Sequence, residues 1–134
     1  MGNPQSNRLA SLVEAARTLV PDISAAQRSY TGDRDLPVRL VEQMKEAGLH
    51  KAYMPARFGG YELDWGAHYH ISREISQACG SAGWVAGLVF SHVMFIPRFP
   101  ELAQEAFFAA SPHGILATAS AGAGVLEKVP GGMK

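Results

Sequence analysis

Five histidines are the first places to look for chemistry in this 134-residue chain. His68 and His70 sit two positions apart in a helical pattern. That spacing sets their rings about 200° apart, so they cannot close on one ion. His50 and His113 fall in connecting stretches with no adjacent acidic or cysteine residue. No metal site is expected. His92 is different. It lies near the end of "GSAGWVAGLVFSHVMFIP", Gly80 to Pro97, where helical spacing gives it Val85, Leu88, Val89, Phe95 and Ile96 as face-mates, with Trp84 two turns back. The opposite side carries Gly83, Gly87, Phe90 and Met94. A helix apolar all round is expected to be buried by other elements. Burial disfavours the charged imidazole and leaves a ring able to accept a proton. On the residues alone, a core histidine bonded to a backbone carbonyl is favoured over the wall of a reaction site.

The neighbours of His92 give little independent chemistry. Trp84, Phe90 and Phe95 at helical intervals read as packing before they read as a ligand wall. Ser91 is expected to bond back to its own helix, since no base is placed to activate it. Cys79, the only cysteine, stands at a helix end and reads as inert. "FGGYE" and "SAGAG" lack the strand-to-helix setting of a phosphate loop, and no G-x-S-x-G elbow occurs. Twelve basic and twelve acidic residues cancel, without any run of like charge. Nucleic acid, which rewards clustered lysine and arginine, is therefore not expected as a partner. A membrane is not expected either: a helix over Ala82–Ile96 covers about 22 Å, against roughly 30 Å of hydrocarbon. The N-terminus shows no basic-then-apolar leader.

The elements that would position these residues are mostly helical. Leu9, Leu12, Val13, Ala16, Val20 and Ile23 mark a helix from about Asn7 to Ser29, interrupted near Pro21. Asp35 caps a second helix, with Pro37 in its first turn and Gly48 closing it. Asp64 caps a third, carrying Ile71 and Ile75, and Ser81 caps a fourth. Pro97 and Pro100 end the fourth and start a short fifth, "ELAQEAFFAA". After His113 the pattern changes: "GILATAS" and "GVLEKV" read as strands, and "PGG" at Pro130–Gly132 as a hairpin turn. Residues 1–113 are thus expected to form a helical domain. Residues 114–134 are expected to begin a β-rich domain cut short after its first strands.

This order of segments resembles the acyl-CoA dehydrogenase superfamily. The resemblance rests on "LVEQMKEAGLHKAYMPARFGGYELD" with its Pro55, Gly59 and Gly60, on "HYHISREISQACGSAGWVAGLVFSH", and on "PELAQEAFF" leading to "ILATASAG". It implies a mostly α fold: the N-terminal helical bundle of that superfamily, followed by the first strands of a truncated β-barrel domain. Two details are similar to the two-component flavin-dependent aromatic monooxygenases. No Glu-Pro follows Thr118-Ala119-Ser120-Ala121-Gly122, and "GSAGWVAG" precedes "SH".

The resemblance implies a set of roles. His92 becomes the catalytic residue, drawing the proton from a phenol; Trp84, Phe95 and Ser120 line the substrate; Thr118 and Ser120 approach the flavin. It implies a small aromatic substrate, O2, reduced FMN (FAD in the alternative) and a separate flavin reductase, in a cytoplasmic homotetramer. An acyl-CoA dehydrogenase using FAD is the alternative enzyme, and a non-catalytic helical interaction module is the alternative from another class. The 134-residue chain by itself is expected to bind flavin poorly and to be inactive.

Overall fold

The computed structural model describes residues 3–28, 36–118, 122, 124–125 and 127–133. Among these residues five α-helices follow in order: α1 Pro4–Arg28, α2 Val38–Glu46, α3 Gly66–Ala78, α4 Gly80–Ser91 and α5 Glu101–Ala110. A 3-10 segment, His92–Arg98, continues α4, and shorter 3-10 turns occupy Leu49–Lys51 and Ala56–Phe58. Lys128–Val129 (β1) and Gly132–Met133 (β2) pair antiparallel around Pro130–Gly131, so "PGG" does turn a hairpin.

The helical frame follows the sequence closely, with local corrections. Helix α1 begins earlier than Asn7 and runs through Pro21 without stopping. Pro37, not an acidic residue, stands at the N-cap of α2, and Asp35 and Ser29 lie outside the described residues. Asp64 stands one residue before the N-cap of α3, which is Trp65; its Oδ1 accepts the Gly66 N–H at 2.7 Å and closes the turn that leads into the helix. Ser81 does not cap α4; the extended backbone of Cys79 makes the break, and Ser81 sits inside the first turn. Residues 114–118 carry no strand, so the "GILATAS" expectation fails over its described part. A strand needs a partner, and no strand pairs with this stretch among the described residues.

Helix α3 is central, packing on α1 along one face and on α4 along another. Leu12, Ala16 and Ile23 of α1 meet Ile71 and Ile75 of α3 in one core with Leu40, Met44, Leu49, Phe90, Val93 and Phe108. Glu74 is buried at the α1–α3 seam. Its carboxylate accepts from Arg17 Nε at 3.1 Å, Arg73 Nη2 at 3.0 Å and Gln77 Nε2 at 3.1 Å. Hydrogen bonds from Arg17 first, then Arg73, hold the carboxyl below its usual range, which keeps this buried group ionised and paired.

The α3–α4 seam is built from small residues. A Cβ on Gly83 would overlap Ser76 Oγ and come within 2.9 Å of Ser76 Cβ. One on Gly87 would sit 2.7 Å from His68 Cε1 and 3.0 Å from Ser72 Oγ. The helices approach until backbone meets side chain, and only glycine leaves room. Gly60 has a similar role in the Pro55–Gly60 turn, where a Cβ would collide with the Met54 carbonyl.

Candidate functional site

Burial around α4 reverses the expectation that it is enclosed on every side. Ala82, Gly83, Ala86, Gly87 and Phe90 are buried, whereas Trp84 is 70 % exposed and Leu88 36 %. With uniform apolarity, side-chain size decides which face turns inward: the glycine and alanine face fits against α3, and the bulky face is left outside. The α-helix stops at Ser91, and His92 opens the 3-10 segment that follows. His92 is half-buried, so its expected enclosure in the core is also corrected. Ser91 behaves as expected, fully buried with Oγ donating to the Leu88 carbonyl at 3.4 Å. The tighter 3-10 turn sends Val93 and Ile96 into the core and leaves Phe95 41 % exposed.

Among the described residues the His92 ring has one close polar side-chain partner, and it comes from 26 residues downstream. Thr118 Oγ1 lies 3.1 Å from Nδ1 and 3.3 Å from Nε2 of the imidazole. The hydroxyl can donate to whichever nitrogen holds the lone pair or accept from the one holding the proton. What brings Thr118 here is the turn after α5. Ser111 accepts the Gly114 N–H on its carbonyl at 2.9 Å and the Ile115 N–H on its hydroxyl at 3.2 Å. Gly114 has φ +63, and a Cβ there would sit 2.8 Å from Val93 Cγ2 and 3.3 Å from Phe108 Cε1. Only glycine takes that left-handed backbone without strain and lets the chain lie directly on Val93.

Of the expected site residues, His92, Thr118 and Phe95 come together. The Phe95 ring centroid is 6.2 Å from that of His92, tilted by 40°. Trp84 lies two helical turns before His92 on the same outer side, as part of an apolar floor with Leu88, but makes no ring contact with His92 in the structure. Ser120 lies outside the described residues. No group of three or more His, Cys, Asp or Glu residues could hold a metal ion among the described residues.

A second histidine pair went unread in the sequence. His50 is 6 % exposed, meets His113 edge-on at 4.9 Å between centroids, and has no partner for its Nδ1 among the described residues. Burial first, then the nearby His113, lowers its pKa to about 4, so it is neutral near pH 7. Both residues looked like loop histidines because their contact joins segments 63 positions apart.

The run Gly80–Arg98 is longer than the Ala82–Ile96 stretch read from sequence, since the 3-10 segment extends it. By length and composition its 19 residues could cross a membrane; 44 % of its most apolar 18-residue window is buried inside the structure.

Comparison with known proteins places this architecture. The acyl-CoA dehydrogenase N-terminal domain family matches residues 8–108. The chain belongs to that family. Among curated relatives, the flavin-dependent monooxygenase oxygenase subunit HsaA of Mycobacterium tuberculosis is 28% identical over 98% of this chain and 34% of its own. The oxygenase component of p-hydroxyphenylacetate 3-hydroxylase from Acinetobacter baumannii is 26% identical over 92% of this chain and 29% of its own. Indole-3-acetate monooxygenase of Pseudomonas putida is 33% identical over 78% of this chain and 27% of its own. The chain thus spans about a third or less of the length of these relatives. No solved structure shows a significant match.

Proposed function

We propose that this domain belongs to the oxygenase component of a two-component flavin-dependent monooxygenase that hydroxylates a small phenolic substrate. The observation that carries the reading is the His92–Thr118 pair on a half-open surface beside Phe95 and the Leu88–Trp84 floor. A phenol is flat and apolar with one acidic O–H. The exposed aromatic and aliphatic floor matches the ring, and the paired imidazole matches the O–H. The names of the relatives, the oxygenase subunit of a flavin-dependent monooxygenase and the oxygenase component of a hydroxylase, support the same class.

His92 accepts the phenolic proton on a ring nitrogen, which raises electron density at the ring carbon to be oxygenated. Thr118 holds the imidazole in one orientation, so the accepting nitrogen faces the substrate rather than turning freely. Phe95 and Leu88 would shield that proton transfer from water on the side where a phenol ring rests on them. A flavin suits these residues in part: a hydroxyl at the edge of an exposed apolar floor can serve a flat heteroaromatic ring. Reduced flavin, when bound, supplies the electrons that activate O2. We assign FMN as the cofactor, a separate reductase as its source, and a cytoplasmic homotetramer without membrane or nucleic acid. Residues 114–134 would open a β-rich middle domain. The family match itself also favours a second reading, an acyl-CoA dehydrogenase using FAD.

The test is His92→Ala in the full-length oxygenase, supplied with reduced FMN, O2 and a phenol. Hydroxylated product should fall by about 10²-fold or more while O2 consumption continues. Unchanged hydroxylation would remove His92 from the reaction. Bleaching of bound flavin by an acyl-CoA thioester would establish the dehydrogenase instead.

A further inference from the structure

The 3-10 segment that carries His92 has a weak end. Pro97 lies inside it and Pro100 follows it. Pro100 has no N–H, so the Pro97 carbonyl lacks the donor three residues on that a 3-10 turn would use. The Phe99 carbonyl is no better placed, because the Ala103 N–H is bonded to Pro100 O at 2.9 Å. One side chain serves both carbonyls. Gln104, on α5 and buried at 8 % exposure, donates from Nε2 to Phe99 O at 2.7 Å and to Pro97 O at 3.3 Å.

An amide could turn over and present its oxygen to those carbonyls. Arg57 prevents this. Its Nη2 donates to Gln104 Oε1 at 2.5 Å, while Nη1 bonds Glu101 Oε1 at 2.6 Å. With the oxygen end fixed by a guanidinium, the nitrogen end must face Pro97 and Phe99. The guanidinium lies over the Phe58 ring at 4.6 Å, and Phe58 stacks on Phe108 of α5 at 4.1 Å, so the Pro55–Gly60 turn and α5 form one rigid block.

We propose that Gln104, oriented by Arg57, is a positioning residue for His92. The block grips the far end of the His92–Arg98 segment, whose near end is fixed by buried Ser91 and Val93. Only with both ends held does the imidazole keep its place against Thr118. This inference rests on the reading of His92 as the proton acceptor.

Two readouts keep the two ideas apart. In the 134-residue chain, Gln104→Met keeps volume and removes all three hydrogen bonds. It should shift the His92 ring resonances in the NMR spectrum, while the His70 resonances stay fixed. Arg57→Met, a half-exposed and milder change, should move the same signals in the same direction, and Arg57→Lys should restore them. In the full-length oxygenase, Gln104→Met should lower kcat for hydroxylation about tenfold at unchanged KM. Unmoved His92 signals in both Gln104→Met and Arg57→Met overturn the positioning role. Shifted signals with a kcat unchanged by both Gln104→Met and His92→Ala uphold the positioning of the ring and overturn the proposed chemistry instead.

Discussion

Acidification from about pH 7 to about pH 5 should cost the native chain about 2 kcal/mol through one side chain, His50. Its ring is buried, its Nδ1 has no partner among the described residues, and His113, Lys51 and Lys45 all oppose a positive charge on it. The folded pKa of about 4 stands below the ordinary 6.5 of the unfolded chain. Between those two values the unfolded state binds the proton and the native state does not. Stability is therefore complete above about pH 6.5 and falls as the pH drops toward 4. Each unit inside the window costs about 1.4 kcal/mol, giving about 3 kcal/mol in all, of which about 2 kcal/mol lies between pH 7 and pH 5. His68, also held below its ordinary value by burial, contributes to the same slope, so the wild-type curve alone does not isolate His50. His50→Gln does, because it keeps a polar side chain of similar size and cannot titrate. Urea denaturation followed by circular dichroism at a series of pH values gives the comparison. The wild-type and His50→Gln stabilities should diverge by about 2 kcal/mol over that range. Parallel curves would show that His50 protonates as easily in the folded chain as in the unfolded one, and the argument from burial would be wrong.

Two further outcomes follow from the packing. Gly114→Ala should destabilise by about 1–2 kcal/mol from its left-handed backbone, with more from the Val93 and Phe108 overlap, and should shift the Thr118 and His92 NMR signals together. A Gly114→Ala chain in which those signals keep their wild-type positions would contradict the account of how Thr118 is placed. Gly83→Ala should lose about 1–3 kcal/mol by forcing α3 and α4 apart, whereas Trp84→Ala, one residue on, should stay within about 0.5 kcal/mol of wild type in chemical denaturation. Equal losses at the two positions would refute the assignment of inner and outer faces.

The helical frame was legible because it is written in local signals: the apolar period of α1, the Asp64 turn that leads into α3, the prolines around α5. The orientation of α4 was not. A hydrophobic pattern marks a buried face only by contrast with a polar one, and α4 offers no contrast; the informative variable was residue size at Gly83 and Gly87. The "GILATAS" stretch failed for a different reason, since β-favouring residues say nothing about whether a partner strand is present. For the site, composition and spacing pointed to His92 only as one option. Family resemblance named Thr118, toward a flavin, without joining it to His92. That contact depends on the Ser111–Gly114 turn, which bridges 26 positions. His50 and Gln104 were missed because their meaning lies wholly in long-range partners. Gln104 did leave one trace, a polar residue in register with Phe108 on the inward face of α5.

The division of α4 into an inner face of Gly and Ala and an outer face of Trp84 and Leu88 also bears on how such a protein can change over time. Residues that hold the fold and residues that would meet a substrate alternate along one helix, yet they point in opposite directions. Substitutions at positions 84, 88 and 95 can therefore accumulate without a folding penalty, so specificity can drift while the scaffold stays fixed. A library randomised at these three positions should retain a high fraction of folded members. One randomised at 82, 83, 86 and 87 should collapse to the parental small residues.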